Sequence, residues 1–579
     1  MSALATARSA LAALMTLAAA LPACSVPLNE AEVILQNACE SSADCADGGA
    51  CVAIGQGLSC VGTEADLPGL IVEVSPSSSS TYGAGTAHLI MLENTASGSN
   101  SGGFVFGHHL QLLDLVKITP GKVFAPADAA LRAALCAADD GSLPAKIKFH
   151  PIAPFVGIAL EPYSVTTEVL MKEDQTEEHV FNLEVPPGEY DIFVEFTQQE
   201  GCEVLPPFFI PGKTIRENVT INIDLLPPSR LTGTIAAPSI DGWTLDMVEP
   251  ERGGLISKTQ TMRTGDPISL EYYDLAPGTS PIIRLRPPEG EVKPQALWVL
   301  DAVDFQDTDE VALTLAAIET QPVAVSGRVL DDDLGLVAAT LTIKSMGLEG
   351  AGENASYEVQ VDTDGEFTLS LLRGSYSVIA RPKNDLTKAL AIKTWDIHEG
   401  DLEAGHDIQV AAKTTLRGRL VTPNDEPMSE APIVAVPPLP QPLGYLEQVL
   451  GVATAIPDQA ATSPGVDGSF SLPVDPGSFD VSVQAPAVSG FPWYVRSQVE
   501  VPKSGADFGT RKIPYPVALA GSVLDPLGSP VAGAVIRAWL PVANVNAKSG
   551  LSGTVIQIAE ATSKPDGSYV LLLPPSITE

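Results

Sequence analysis

The side chains most able to do chemistry in this sequence are its seven cysteines, and their number is odd. A cysteine thiolate can attack a substrate, bind a metal ion or form a disulfide bond. In an exported protein, disulfide pairing uses an even number of cysteines, so an odd total leaves one thiol that needs another role. The seven are Cys24, Cys39, Cys45, Cys51, Cys60, Cys136 and Cys202.

Four of these cysteines lie between residues 39 and 60 with the spacing C-x5-C-x5-C-x8-C. Zinc sites favour C-x2-C pairs, and this sequence contains none. A segment of this size buries too little apolar surface to fold without crosslinks. We therefore expect disulfides and no metal, with the pairing left open. The candidates are Cys39, Cys45, Cys51, Cys60, Cys136 and Cys202.

Cys24 follows a stretch with the features of an export signal. Residues 1–23 contain one basic side chain, Arg8, and then an apolar run of about a dozen residues, whereas a bilayer-spanning helix needs about 20. The tetrapeptide LPAC at residues 21–24 resembles the lipobox of bacterial lipoproteins. The resemblance implies cleavage before Cys24 and lipid attachment to its thiol. Removing Cys24 leaves six cysteines, enough for three disulfides in an oxidising compartment.

The other reactive side chains form no recognised catalytic pattern. The sequence contains no H-E-x-x-H helix, no G-x-S-x-G turn and no Walker loop. His108 and His109 are adjacent, and neighbours on a strand point to opposite faces, which argues against chelation by both. We therefore expect no enzyme, no catalytic residues, no metal site and no cofactor. An enzyme hidden in residues 67–228 stays an alternative, although no motif supports it.

Charge and composition limit the class of protein. The net charge of the 579-residue chain is −38 and its pI is near 4.4, so we expect it to repel nucleic acid, which is bound through clustered Lys and Arg. A hydrophobic content of 45% is too high for a disordered chain. With 49 glycines and 49 prolines, the sequence favours many short strands between turns.

A repeated pattern predicts the fold class. Four stretches open with a short apolar strand centred on a glycine, and these glycines recur about every 90 to 100 residues, a spacing typical of one small β-sandwich per repeat. They are Gly233, Gly327, Gly418 and Gly521. Asp-Gly pairs at 364–365, 467–468 and 566–567 predict tight turns, and the flanking residues alternate apolar and polar. We expect an all-β chain of tandem antiparallel β-sandwich domains of transthyretin-like or Ig-like type after a small disulfide-rich N-terminal segment.

The order of these motifs also carries a family resemblance. G-x-V at 327–329, D-G-x-F at 364–367 and G-x-Y-x-V at 374–378 together resemble the carboxypeptidase regulatory-like domain, a transthyretin-like β-sandwich. The resemblance implies a non-catalytic module that accompanies peptidases, receptors and surface proteins. Related folds include carbohydrate-binding modules, which keeps a ligand-binding hypothesis open.

These patterns divide the chain into seven segments. The last one is expected to be incomplete, because Ser576 stands where the repeats have a glycine and a final strand is lacking. The expected segments are a lipoprotein signal peptide (1–23), a Cys-rich disulfide segment (24–66), an atypical larger β domain (67–228), a divergent β-sandwich (229–323), two carboxypeptidase regulatory-like sandwiches (324–412 and 413–514) and an incomplete one (515–579).

Two functional hypotheses follow. The first is a non-catalytic lipoprotein of the bacterial outer membrane, periplasmic or exposed on the cell surface, whose β-sandwich array is a scaffold or adhesion module for another surface protein. The second is a carbohydrate-binding protein that stacks polysaccharide on Trp298, Trp395 and Trp493, which follow similar strands in successive domains. Exposed tryptophans favour sugar stacking, whereas buried ones only anchor a core.

Overall fold

The computed structural model describes residues 37–577 with internal gaps. The longer gaps are 63–66, 77–87, 92–104, 126–133, 136–141, 153–161, 172–179, 198–201, 289–295, 302–309, 316–322, 349–355, 398–404, 439–456 and 542–554. The shorter ones are 47–48, 55–56, 68, 108, 113, 238, 251–252, 274, 276–277, 372, 384 and 386. Within the described residues, no helix has the length and apolar character needed to cross a bilayer.

The chain is all-β, as predicted, and consists of tandem β modules after a disulfide segment (Asn37–Gly62). In the disulfide segment, a 3-10 turn (Ser42–Asp44) precedes an antiparallel hairpin. Its strands are β1 (Ala50–Ile54) and β2 (Gly57–Val61). Four strands follow before the first self-contained module: β3 (Ile71–Ser75), β4 (His88–Met91), β5 (Val105–Gly107) and β6 (Leu110–Gln111).

Module 1 (residues 116–225) is a single seven-stranded sheet. Its strands are β7 (Val116–Ala125), β8 (Ser142–Pro151), β9 (Tyr163–Met171), β10 (Phe181–Val185), β11 (Gly188–Phe196), β12 (Phe208–Ile215) and β13 (Val219–Asp224). The sheet order is β10-β7-β9-β8-β11-β12, with β13 parallel to β7. The core contains fully buried Phe149, Phe181 and Tyr190.

Modules 2 (229–315), 3 (323–412) and 4 (414–513) share one two-sheet architecture, with three strands in one sheet and four in the other. Module 2 contains β14 (Ser229–Ile235), β15 (Thr244–Val248), β16 (Gln260–Thr261), β17 (Ile268–Tyr272), β18 (Ile282–Arg286), β19 (Ala296–Val299) and β20 (Glu310–Leu315). Module 3 contains β21 (Val323–Leu330), β22 (Ala339–Leu348), β23 (Ser356–Val361), β24 (Glu366–Leu371), β25 (Gly374–Pro382), β26 (Ala391–Ile397) and β27 (Ile408–Gln409).

Module 4 repeats this arrangement and adds a 3-10 turn (Ala487–Ser489). Its strands are β28 (Thr414–Val421), β29 (Ile433–Val436), β30 (Ala460–Thr462), β31 (Ser469–Val474), β32 (Gly477–Val483), β33 (Tyr494–Val501) and β34 (Ala506–Lys512). Its sheets have the orders β31-β28-β34 and β30-β29-β32-β33. In each of modules 2 to 4, the first strand runs parallel to the last.

Module 5 is assembled from two distant stretches of the chain. Its late strands are β35 (Val517–Leu524), β36 (Val535–Pro541), β37 (Val555–Thr562) and β38 (Ser568–Leu573). The early strands β3 and β4 extend one sheet in the order β37-β36-β3-β4, and β5 and β6 pair parallel with β35 in the other.

This arrangement corrects two of the expected segments. The stretch 67–228 is not one unit, because strands between residues 71 and 111 belong to module 5 and only 116–225 form module 1. The sandwich at 515–579 is not left incomplete, since β3 to β6 take the positions that the last three strands hold in module 4. Apolar alternation identifies strands but carries no information about which distant strand pairs with which.

Candidate functional site

The four clustered cysteines form two disulfides, Cys39–Cys51 and Cys45–Cys60. This confirms the expectation of disulfides in the segment and settles the pairing that the sequence left open. The sulfur atoms of Cys39, Cys45 and Cys60 lie within 4.8 Å of one another. Because each is consumed in an S–S bond, none of them is a thiolate ligand in this state.

The disulfide segment is docked on module 4. Cys39, Cys45 and Cys60 are buried in the same apolar cluster as the module 4 core. The amide of Asn37 donates to the carbonyl oxygen of Gly490 at 2.9 Å, and the hydroxyl of Tyr515 accepts from the backbone N–H of Ala46 at 2.8 Å. The segment is therefore fixed to the junction where module 4 meets module 5.

An acidic side chain shapes the turn within this segment. The carboxylate of Asp44 accepts hydrogen bonds from the backbone N–H groups of Ser41 at 2.8 Å and Glu40 at 2.9 Å. These two bonds, that from Ser41 foremost, lower the pKa of Asp44. Hydrogen bonds to the ionised form favour it, so the carboxylate has a structural role in the turn.

Of the other three cysteines, one lies within the described residues and two lie outside them. Cys202 is disulfide-bonded, while Cys24 and Cys136 lie outside the described residues. The backbone N–H of Glu203 donates to the carbonyl oxygen of Ala134 at 2.8 Å, which brings the neighbours of Cys202 and Cys136 together. The Cys136–Cys202 pairing and the lipid on Cys24 stay predictions.

The three tryptophans differ in exposure. Trp395 is 5% exposed and its ring stacks on Phe367 with centroids 5.8 Å apart, so it offers no face to a sugar and the stacking hypothesis is wrong for this residue. Trp298 is half-buried against the core of module 2, and Trp493 is half-buried against the core of module 5. Large aromatic side chains contribute most when they bury their surface, which explains all three placements.

A cleft between modules 1 and 2 is too small for a substrate. It holds about 20 Å³, close to the space of one water molecule, whereas ligand pockets occupy about 300–1,000 Å³. Phe208 and the buried Glu249 line it, together with Tyr273, whose pKa is raised by burial. The Phe208 and Tyr273 rings meet edge to face at 5.4 Å. The cleft is a small gap in the packed interface between modules 1 and 2.

Polar contacts fix modules 3 and 4 to each other. The fully buried carboxylate of Asp475 in module 4 accepts from the backbone N–H of Leu390 in module 3 at 3.1 Å and from that of Asp458 at 3.0 Å. Arg381 of module 3 forms an ion pair with Asp458. Since an unpaired buried carboxylate is costly, these contacts favour one orientation of the two modules.

Comparisons with known proteins yield no family. No family model matches the chain, and no curated protein matches it. Among solved structures, it is similar to a Streptococcal ancillary pilin at 11% identity, covering 52% of this chain and 99% of that one, with a TM-score of 0.19. It is also similar to the pilus adhesin SpaC from Lactobacillus rhamnosus GG (10% identity, 64% and 57% covered, TM-score 0.14) and to the major pilin subunit of Bacillus cereus (9%, 50% and 99%, 0.12). Scores this low support no conclusion about family or function.

Proposed function

We propose that this chain is a non-catalytic lipoprotein whose β modules form a scaffold for contacts with other molecules at the bacterial outer membrane. The observation that carries the proposal is the oxidised N-terminal segment. Both of its disulfides are formed, as expected for an exported protein. The segment is also docked on the array, which fixes the end of the chain nearest Cys24 to the modules. With Cys202 also disulfide-bonded and the predicted Cys136–Cys202 pair, Cys24 is the cysteine that pairing does not require.

The docked segment would hold the array close to its anchor. The chain from Cys24 to Asn37 spans 13 residue steps in the sequence, which reach at most about 45 Å when fully extended. A lipid on Cys24 would therefore keep the junction of modules 4 and 5 near the membrane. One acyl chain anchors only reversibly, so stable attachment requires more than one chain on this residue.

A carboxypeptidase regulatory-like identity for modules 3 and 4 is part of the proposal. It is supported by the position of the repeated glycine in the first strand and of the Asp-Gly turn before β24 and β31. Exposed Asp44 serves a turn and buried Asp475 serves a contact between modules, which favours a scaffold over a catalyst. The partners proposed are the membrane and another surface protein. For the alternative of carbohydrate binding, Trp298 and Trp493 are the remaining candidates for stacking on a sugar ring.

The test is the chemical state of the mature N-terminus. The full chain is expressed in a bacterial host, its membranes are isolated, and the N-terminal peptide is analysed by mass spectrometry. We expect a peptide that begins at Cys24 with diacylglycerol on the thiol, and we expect Cys24→Ser to move the protein into the soluble periplasmic fraction. A wild-type peptide that starts elsewhere, or starts at Cys24 without lipid, would contradict the anchor.

A further inference from the structure

Module 5 is the one described module whose strands come from both early and late parts of the chain. β3 pairs antiparallel with β36, placing Ile71 opposite Trp539 and Ser75 opposite Val535. β5 pairs parallel with β35, as the last strand pairs with the first in modules 2 to 4. The two stretches are held together only by noncovalent contacts among the described residues, and the chain between them folds into modules 1 to 4.

The two stretches share one core. Val72 and Val74 of β3 and Leu110 of β6 are buried in the same cluster as the late residues Ile536 and Tyr569. If β3 to β6 were withdrawn, the late half-sandwich would expose this core and the free edges of β35 and β36. A flat, unpaired apolar edge is a template for another strand.

A partly buried ion pair fixes the register between β3 and β36. Glu73 lies directly opposite Arg537 and is 4% exposed. Its carboxylate accepts from the indole N–H of Trp539 at 2.9 Å and from Arg537 Nη1 at 3.3 Å. Arg537 Nε also donates to Glu560 at 2.9 Å. A buried carboxylate that satisfies both neighbours selects this strand in this position and disfavours a slipped one.

We propose that module 5 is a strand-exchange joint, in which β3 to β6 of one copy complete the late half-sandwich of a second copy of this chain. The strand pairings of the joint and the contacts of Glu73 with Arg537 and Trp539 lie between the early and late stretches, so they are the same within one chain or between two. Modules 1 to 4 use contiguous stretches and have no such freedom.

The second arrangement depends on the concentration of the chain. Within one copy the two stretches are brought together by the folded modules 1 to 4, whereas crowding copies together raises the effective concentration of a partner strand from another copy. Reciprocal exchange yields a closed dimer, and one-way exchange yields an open chain of copies. The inference is independent of the proposed lipid anchor.

The test uses two charge-reversed versions of the full mature chain, each also carrying Cys24→Ser so that no lipid is attached. Glu73→Arg places two like charges in the joint of its own copy, and so does Arg537→Glu. In a mixture, the early strands of the first version face an acidic partner in the second, while those of the second meet a native module 5. We expect module 5 of each version alone to close poorly. When the two versions are refolded together with their disulfides intact, we expect light scattering to show a species of twice the monomer mass.

The control is the chain carrying both Glu73→Arg and Arg537→Glu, which restores opposite charges within one copy and is expected to behave like the wild type. Wild-type chain refolded over a roughly hundredfold range of concentration should give a dimer fraction that rises with concentration. If the mixture contains no species of twice the mass and the wild type stays monomeric throughout, exchange does not occur and the joint closes only within one chain.

Discussion

Two aspartates of module 4 occupy opposite electrostatic environments. Burial raises the pKa of half-buried Asp480, and the hydrogen bond from the backbone N–H of Gln498 opposes this only partly. The hydroxyl of Ser469, with its backbone N–H, lowers the pKa of exposed Asp467. A raised folded-state pKa favours the protonated group, so the ionised form of Asp480 reduces stability at neutral pH. The ionised form of Asp467 increases it.

Replacing each carboxyl by its amide should therefore have opposite effects near pH 7. Asp480→Asn keeps an oxygen for the Gln498 N–H and removes the poorly hydrated charge, so we expect it to raise the stability of module 4 by about 0.5–1 kcal/mol. Asp467→Asn is expected to lower the melting temperature slightly. Thermal unfolding followed by circular dichroism measures both effects.

The pH dependence separates these charge effects from changes in packing. Asp480 takes up its proton as pH falls through its raised pKa, so the advantage of Asp480→Asn should vanish by about pH 3. The contribution of Asp467 is present above the ordinary value of 3.8 and is lost as pH falls through its lowered pKa, so Asp467→Asn should approach the wild type below that point. Differences that are the same near pH 7 and pH 3 would show that charge is not the cause.

At the scale of elements, the repeated glycine explains how the first and last strands of a module come together. A Cβ atom at Gly327 would lie 2.5 Å from the carbonyl oxygen of His406, just before β27. At Gly233 the corresponding distance to the oxygen of Leu313 is 2.3 Å, and at Gly418 the distance to the oxygen of Gly509 is 2.9 Å. Only glycine allows the parallel partner to approach this closely without displacing backbone.

Gly327→Ala should therefore destabilise module 3 by about 1–3 kcal/mol, because the added methyl group must push β21 away from the chain leading into β27. Urea unfolding of the full chain measures the loss. Gly405→Ala is the matched control in the same module, since its nearest contact would be an ordinary 3.9 Å to Asp407. Equal stability of the two variants would mean that the close approach is not what requires glycine in β21.

Strands and their buried faces could be predicted from the sequence, but the partners of some strands could not. The alternation around the Asp-Gly turn of module 3 gives the buried face correctly at Phe367, Leu369 and Leu371. Backbone ladders form between any extended segments, so alternation cannot say that β3 pairs with β36. One signal was available: Pro68-Gly69 before an apolar strand repeats Pro187-Gly188 and Pro476-Gly477.

For the candidate sites too, some features could be predicted from the sequence and others could not. Cysteine number and spacing predicted the disulfides of the N-terminal segment, because covalent pairing depends on residue type. The exposure of Trp395 could not be predicted, since similar positions in successive modules place a tryptophan beside Phe367 in one and against a neighbouring module in another, as with Trp493. Exposure depends on packing between modules, which no local pattern records.

At the scale of the whole molecule, the modules form a closed circuit. From module 5 the chain passes through β6 into module 1, continues through modules 2, 3 and 4, and returns to module 5 at β35. A linear array comes apart wherever it is cut. A circuit closed by strand pairing stays connected after one cut, because the pieces are still joined through the core and ladders of module 5 and through the docked disulfide segment.

This connectivity is testable by cutting between modules 2 and 3. A protease site inserted within residues 316–322 should yield two fragments that remain together on size-exclusion chromatography under native conditions. β3 to β6 of the first fragment are built into module 5 of the second, and the disulfide segment of the first is docked on module 4 of the second. The same cut in the Glu73→Arg chain should release the fragments more readily, because like charges then face each other where Arg537 meets β3. If the cut wild-type fragments separate as readily as those of the variant, contacts in module 5 do not hold the circuit closed. Retention in the wild type together with release in the variant would locate the connection at the Glu73–Arg537 ladder.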